Sequence, residues 1–316
     1  MIHEFAVDPK ALAGWQNFRY LVEKFGVSQG RLISRFPKDW RQRVLKACED
    51  CRDVEKKRIT VALERIDSKL YNAGRDFDKN VEWIPNARSS HAVDPFRAII
   101  TTAEHAGSTG HLDVDLLSDE DETWAVPRGA MVPRTATDMA AAAEKLLRCS
   151  AEIVFVDPHF GGETRFGRTL TAMIQRACHG GRIPRRFEYH LTAKSVPGHE
   201  FSRQLEKQQP YLRIPPGVKL VFVRWNQLDE GDTLHARYVL TEKGGLRFEH
   251  GLDEGNPGET TDVECLASPN HAERRAQYHP GAEAFQLVDA WMVTADAVTR
   301  VVWNGSEFVP KSTSLP

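Results

Sequence analysis

His235, Arg237 and Glu242 form a short motif whose residue types and spacing suit chemistry at phosphorus. We predict that residues 235–240 form a strand, so that His235 and Arg237 project from one face, about 7 Å apart along the chain. An imidazole can attack phosphorus, and a fixed cation can hold the phosphoryl oxygens as charge develops. Such a reaction needs no metal and no cofactor, and we expect neither. A half-buried strand with a solvated polar face accounts for the same residues, so both interpretations stay open.

The spacing resembles the H-x-K-x4-D motif of the phospholipase D superfamily, with His235, Arg237 and Glu242 at its three positions. Arg replaces Lys, and Glu replaces Asp. Arginine keeps the charge but presents a planar fork instead of a point donor. The resemblance implies that His235 is a nucleophile and that a second histidine protonates the leaving group. Because the chain has a single motif of this kind, we expect a homodimer to supply the second histidine.

Residues 133–310 resemble more closely the phospholipase D-like domain at the C-terminus of eukaryotic MIT-domain proteins. The landmarks are the strand that ends at Asp157-Pro158-His159, the strand at Arg237, and residues 244–253, which include His250 and Asp253. In that eukaryotic group the histidine motif is degraded and the domain is a dimeric membrane-binding module. The present chain differs because it carries His235. Nothing familiar covers residues 1–132.

The resemblance implies that His159, His235 and His250 lie on one rim, since ligands in α/β sheets gather beyond the carboxyl ends of strands. We expect Asp157 to orient one of these imidazoles, as a carboxylate commonly does. Asp253 is expected to contact the substrate. His159 and His250 are each explained equally well as a loop histidine bonded to backbone.

Four arginines complete the set of candidate substrate-binding residues. Arg224 ends a predicted strand at 218–223, where the adjacent Trp225 is either a rim or a core residue. Arg182, Arg185 and Arg186 form a basic patch that we expect to contact a polyanion, DNA or RNA. A merely solvated face is the alternative.

The pattern of apolar residues predicts two domains, residues 1–132 and 133–316, divided within a stretch rich in Gly, Ser, Asp and Pro. The second is predicted to be α/β, a phospholipase D-like mixed sheet flanked by helices. Its elements are a helix carrying Met139 to Leu147, a strand at 153–156, a helix at 166–177, strands at 187–191 and 218–223, and a hairpin of 235–240 with 246–248 through Gly244-Gly245.

Residues 1–132 are predicted to form a smaller α+β domain of unknown role, through which a partner protein could bind. We predict a helix over residues 12–25, a second helix after Pro37 that carries Trp40 and Val44, and a strand containing Ile59, Val61, Leu63 and Ile66. The last prediction rests on alternation of apolar residues.

Composition sets limits on these interpretations. A net charge of −2 over 316 residues excludes a protein that coats polyanions over its whole surface. The five cysteines are an odd number and fit a reducing compartment, and Cys48 with Cys51 is a lone pair that we do not assign to zinc. Without an apolar run long enough to span a membrane, we expect a soluble cytoplasmic protein.

Two functions follow as expectations. The first is a metal-independent phosphodiesterase, a nuclease acting as a homodimer, with a role in an antiviral or mobile-element system by analogy alone. The second is a non-catalytic phospholipase D-like module that recognises nucleic acid, a phosphorylated ligand or a protein partner. The variant residues Arg237 and Glu242 favour the second, and the retained His235 favours the first.

Overall fold

The computed structural model describes residues 1–107 and 110–311, and the chain divides into two compact units, Met1–Arg128 and Gly129–Pro316. The predicted boundary at 132/133 falls within a strand, Gly129–Pro133, that pairs inside the second unit. The two units are described separately.

The first unit is a parallel sheet with helices. Its strands are β1 (His3–Val7), β2 (Arg31–Ser34), β3 (Leu70–Tyr71), β4 (Ile99–Thr101) and β5 (His111–Asp113), and its helices are α1 (Trp15–Lys24), α2 (Trp40–Ala47), α3 (Asp53–Glu64) and α4 (Trp83–Val93). The strand order is β3-β2-β1-β4-β5, and every pair is parallel. The predicted helices at 12–25 and after Pro37 correspond to α1 and α2.

The predicted strand containing Ile59, Val61 and Leu63 is wrong, because these residues lie in α3. Ile59 and Leu63 are four residues apart and share the buried face of the helix, while Val61 is exposed on the other side. Apolar residues at positions 59, 61 and 63 alternate as they would in a strand. In a helix, positions 59 and 63 also share one face, so a window this short does not distinguish the two structures. Ile66 follows the helix in a 3-10 turn.

The second unit contains a ten-stranded mixed sheet flanked by helices, as the sequence predicted. Its strands are β6 (Gly129–Pro133), β7 (Glu152–Val156), β8 (Arg186–Thr192), β9 (Leu220–Asn226), β10 (Arg237–Thr241), β11 (Gly245–Phe248), β12 (Thr260–Cys265), β13 (Gln286–Val293), β14 (Val298–Trp303) and β15 (Phe308–Pro310). Its helices are α5 (Ala136–Cys149), α6 (Thr164–Ala177), α7 (Gly198–Leu212) and α8 (Ser268–Gln277). The strand order is β15-β14-β13-β9-β8-β7-β10-β11-β12-β6.

Three central strands, β7, β8 and β9, are parallel, and β10 runs antiparallel to β7. The centre is apolar because residues 153–156 of β7 are almost fully buried, as expected of a strand covered on both faces. On one face Phe155, Phe160, Tyr189 and Phe222 pack with ring centroids 4.6–5.9 Å apart. This rigid centre positions the residues that follow the strands.

The hairpin of β10 and β11 is confirmed, with Arg237 opposite Phe248 and Leu240 opposite Gly245. The strand is shorter than predicted, because it begins at Arg237. His235 therefore lies in the preceding turn, where its backbone N–H donates to the carbonyl of Thr233 at 2.9 Å and its side chain is exposed. The prediction that His235 and Arg237 share one strand face is wrong.

No helix within residues 1–107 or 110–311 has both the length and the hydrophobicity needed to cross a membrane.

Candidate functional site

One edge of the large sheet gathers most of the predicted site residues. The parallel strands β7 and β8 end there, and the antiparallel strand β10 begins there, since Tyr238 pairs with Val156 and Val156 with His190. Asp157 follows β7, and Arg237 begins β10. We call the edge defined by Asp157, Arg237 and Asp253 the Arg237 edge.

Asp157 is a buried carboxylate fixed by backbone. Its Oδ1 accepts from the N–H of His159 at 3.0 Å, and its Oδ2 accepts from the N–H of Leu252 at 2.6 Å. Burial raises the pKa of Asp157 above its ordinary value of 3.8, an effect that these two N–H groups and the charge of Arg237 oppose. Both oxygens are engaged by backbone, so Asp157 does not orient an imidazole as predicted. It ties the loop after β7 to the loop after β11.

Arg237 is the cation nearest to this carboxylate that carries no ion pair. It is half-buried, its Nε is buried without a hydrogen-bond partner, and no carboxylate within residues 1–107 or 110–311 lies within 4 Å of its guanidinium nitrogens. Because Tyr238 pairs with Val156 in the antiparallel ladder, Arg237 lies next to Asp157 at the ends of β10 and β7, and its charge lowers the pKa of Asp157. A fixed guanidinium without a paired carboxylate can bind a phosphate group.

Asp253 is held by two arginines on the same edge. Its Oδ1 accepts from Arg134 and its Oδ2 from Arg165, both at 3.0 Å. Gly251 makes this packing possible, because a Cβ there would lie 2.0 Å from Asp253 Oδ1 and 3.3 Å from Asp157 Oδ2. Asp253 is thus a structural anchor for arginines, and the half-exposed Arg165 is the member that a ligand can reach.

All three predicted rim histidines are exposed. His159 follows Asp157 by two residues, His235 precedes Arg237 by two residues, and His250 follows Phe248, the partner of Arg237, by two residues. The backbone N–H of His250 donates to Thr261 Oγ1 at 3.1 Å, and its ring lies 3.8 Å from Glu249. No carboxylate in the described part of the chain lies within 4 Å of the rings of His159 or His235. The rings are therefore available to solvent but are not pre-oriented.

Glu242, predicted as a catalytic partner, lies at the other end of β10. Its two oxygens accept from the backbone N–H groups of Ala151 and Glu152 at 2.8 and 3.0 Å, at the start of β7. The motif residue Glu242 therefore holds strands together, and the structure does not bring it to Asp157 or Arg237.

Arg224 was predicted on the rim but is buried. It forms a bidentate pair with Asp289, 2.7 and 3.0 Å, and donates to the carbonyl of Val196 at 2.6 Å. The next residue, Trp225, is fully buried and belongs to the core. The Nε, Nη1 and Nη2 atoms of Arg224 all donate to partners inside the protein. Arg224 therefore stabilises the packing of β9 against β13.

The predicted basic patch is not at the Arg237 edge, because Arg185 and Arg186 lie at the start of β8. Arg182 donates to the carbonyls of Leu147, Arg148 and Ser150, where helix α5 ends. Arg185 pairs with Glu152, and Arg186 donates to Glu188 at 2.6 Å. At this opposite end of the sheet, Arg185 and Arg186 pair with carboxylates and Arg182 donates to carbonyl groups.

His190 is a buried polar residue that the sequence analysis missed. Trp225 Nε1 donates to His190 Nδ1 at 2.9 Å, so the proton is on Nε2, which donates to Glu188 Oε2 at 2.9 Å. Burial lowers the pKa of His190, and the hydrogen bonds from His190 and Arg186 outweigh burial to lower the pKa of Glu188 to about 2. The signal was present: Arg186, Glu188 and His190 alternate with apolar residues along β8.

Asp8, also missed, ends β1 in the first unit, next to β4. The strand order places the switch in winding direction between β1 and β4, the position where α/β sheets bind ligands. Asp8 accepts from Lys10 N–H at 2.9 Å and from Thr101 Oγ1 at 3.0 Å, and burial raises its pKa. These contacts satisfy the carboxylate within the protein.

No family model matches the chain, and no curated protein matches it. Among solved structures, the chain is similar to TrmBL2, an archaeal chromatin protein described as showing a novel mode of DNA binding. The TM-score is 0.28 at 15% identity, over 52% of this chain and 55% of that chain. The match therefore spans about half of each protein, and a similarity this low identifies neither fold nor function.

Proposed function

We propose that the second unit is a phospholipase D-like binding module that recognises a phosphate-bearing ligand at the Arg237 edge without turnover. The observation that carries the proposal is Arg237 itself, a half-buried guanidinium with no ion pair in the described chain, fixed at the start of a strand beside buried Asp157. Arg165, which is half exposed and paired with Asp253 and Glu163, is a second cation of this edge. Two arginines held by the fold suit a dianionic phosphate.

Binding is favoured over catalysis by the surroundings of the histidines. A nucleophilic imidazole is normally oriented by a hydrogen bond to its second ring nitrogen. His235 is exposed in a turn, and Asp157, the carboxylate at this edge, is occupied by two backbone N–H groups. Glu242 is engaged at the far end of β10.

Binding of a fluorescein-labelled single-stranded DNA 20-mer, followed by anisotropy, tests this proposal. Arg237→Ala should weaken binding about tenfold, corresponding to about 1.4 kcal/mol, while Arg237→Lys retains part of the affinity because the charge remains. The matched control is Arg247→Ala, which removes one exposed arginine from the adjacent strand β11. Equal dissociation constants for Arg237→Ala and Arg247→Ala would show that only net charge matters and would refute the site.

A phosphodiesterase is the second candidate, and the presence of two histidines, His159 and His235, within two residues of Asp157 and Arg237 favours it. With two imidazoles at one edge, one would attack phosphorus and form a phosphohistidine while the other protonates the leaving oxygen, and water would then release the phosphate. Products resolved by gel from the same labelled 20-mer decide between the candidates. Cleavage that persists with EDTA and is lost in His235→Ala supports the enzyme; an intact strand in every sample supports the binding module.

A homodimer through the second unit belongs to this proposal, but the hairpin turn is an unsuitable contact. Gly244 and Gly245 are buried, and a Cβ on Gly245 would meet Leu240, Leu266 and His271. The turn is also at the opposite end of β10 from His235, so pairing two turns would separate two His235 rings. Sedimentation velocity of the wild type at micromolar concentration measures the oligomeric state, and a monomer would remove the dimer from the proposal.

A further inference from the structure

A groove between α6 and α7 in the second unit has the features of a ligand site. It encloses about 700 Å³ and is lined by Thr164, Arg168, Lys207, Gln208, Tyr211 and Arg213, among others. The hydroxyl of Thr171 on α6 donates to the carbonyl of Tyr211 on α7 at 3.1 Å, which joins the two walls. Small-ligand sites commonly have this volume and this location between packed elements.

The charged residues that line the groove are all basic. Arg168, Lys207 and Arg213 line it, and no Asp or Glu is among the lining residues, although the whole chain has more acidic than basic residues. Arg168 is paired with Glu254 at 3.0 Å, whereas Lys207 and Arg213 are exposed and make no ion pair in the part of the chain that the structure describes. The groove therefore favours an anion.

The start of α6 adds to this potential. The helix begins at Thr164, the side chain of its N-cap residue Glu163 makes no capping hydrogen bond, and its first turn contains no acidic residue. Uncapped N–H groups at the start of a 14-residue helix attract anions, and phosphate groups bind at such positions. Here the helix start reinforces the cations already present.

An aromatic ring lies beside the cations. Tyr211 is 77% exposed although tyrosine has a large apolar ring, and it lies one helical turn after Lys207 on α7. The hydrogen bond from Thr171 fixes the backbone of Tyr211. Exposed rings next to cations are the arrangement on which nucleic-acid bases stack while their phosphates are neutralised.

We propose that the α6–α7 groove binds a nucleotide, with the phosphate at Lys207, Arg213 and the start of α6 and the base stacked on Tyr211. The site does not use Arg237, although Arg165 in the first turn of α6 contacts Asp253 of the Arg237 edge. A free mononucleotide and one residue of a single strand present the same chemistry.

Isothermal titration of the full-length protein with 5′-AMP, ribose 5-phosphate and a ten-residue oligoadenylate tests the proposal. Lys207→Ala and Arg213→Asn should each weaken 5′-AMP and ribose 5-phosphate about tenfold. Asparagine is chosen because Arg213 has φ +49°, a conformation that asparagine tolerates. Tyr211→Ala should weaken 5′-AMP only, and Tyr211→Phe should restore it because the ring remains.

Two controls make the result specific. Lys194→Ala removes an exposed lysine outside the groove and should not change the affinity for 5′-AMP. Repeating the titrations in an Arg237→Ala background removes phosphate binding at the Arg237 edge, so that the losses caused by Lys207→Ala, Arg213→Asn and Tyr211→Ala report the groove alone. Tighter binding of the oligoadenylate than of 5′-AMP would indicate a strand as the ligand, and equal binding a free nucleotide. The inference fails if 5′-AMP does not bind to the wild type, or if Tyr211→Ala leaves the affinity for 5′-AMP unchanged.

Discussion

Arg237 and Glu242 lie at opposite ends of one five-residue strand, β10. Arg237 faces the edge where Asp157 is buried, whereas Glu242 accepts two N–H groups at the start of β7. At 3.4 Å per residue, the five steps from Arg237 to Glu242 span about 17 Å along the strand direction. The residues of a motif that is short in sequence therefore lie at opposite ends of the strands. Its two ends have different roles, one toward a ligand and one toward stability.

Glu242→Ala should destabilise the second unit by about 1–3 kcal/mol, because two backbone N–H groups lose a charged acceptor. Urea unfolding measures the effect, and Glu242→Gln, which keeps one acceptor oxygen, is expected to lose less. The affinity for the DNA 20-mer should not change in either variant. Unchanged stability together with weaker binding of the DNA 20-mer would instead indicate that Glu242 contributes to the ligand site.

Arg224→Ala should be among the most destabilising single substitutions, by about 3–5 kcal/mol, because it leaves the Asp289 carboxylate buried without its partner. Arg148→Ala is the control. Arg148 forms an i,i+4 pair with Glu144 in which both side chains are partly exposed, and such pairs contribute about 0.3–0.5 kcal/mol. Similar losses in the two variants, measured by urea unfolding, would contradict the buried assignment.

Stability should fall as pH decreases below about 6.5, in part because of His190. Burial lowers the pKa of His190 in the folded protein, so in this window the unfolded chain binds more protons and acid favours unfolding. Glu188, with its pKa lowered to about 2 from 4.5, acts in the same direction only at more acidic pH.

His190→Asn removes this titration and keeps a polar side chain. Thermal unfolding at about pH 7 and about pH 5.5 should show a smaller difference for the variant than for the wild type. The pH dependence of stability that remains in the variant comes from other histidines with lowered pKa values, such as His271. Identical differences would mean that the pKa of His190 is not lowered in the folded protein.

Gly251→Ala should disrupt the Arg237 edge, since the added Cβ would lie 2.0 Å from Asp253 Oδ1. The carboxylate must move, and the contacts with Arg134 and Arg165 move with it. We expect lower stability and weaker binding of the DNA 20-mer. Gly167→Ala is the matched control for stability: it lies within α6 with nothing within 4 Å of the added Cβ, and it should stabilise by about 0.5–1 kcal/mol. Equal effects of the two substitutions would contradict the packing described.

The sequence predicted the central elements because their signals are local. The continuous apolar run of β7 and the apolar face of α6 can each be recognised within one window. The roles of polar residues were harder to predict, because their partners are distant in sequence: Asp289 for Arg224, Ala151 for Glu242 and Leu252 for Asp157. No spacing rule reveals such pairs. The sequence predicts His235 in the strand because His235 and Arg237 alternate with apolar residues. In the structure, backbone pairing of β10 begins only at Arg237.

The strand β6 has a consequence for how the protein acquires its structure. Gly129 and Pro133 pair with Glu264 and Thr260, so the first strand of the second unit has no hydrogen-bonding neighbour until residues 260–264 have been synthesised, after most of the other strands of that unit. Contacts between residues so far apart in sequence close late and slow folding. During synthesis, residues 129–133 leave the ribosome as an unpaired extended segment, and an unpaired segment of this kind is what a chaperone or a second nascent chain would bind first.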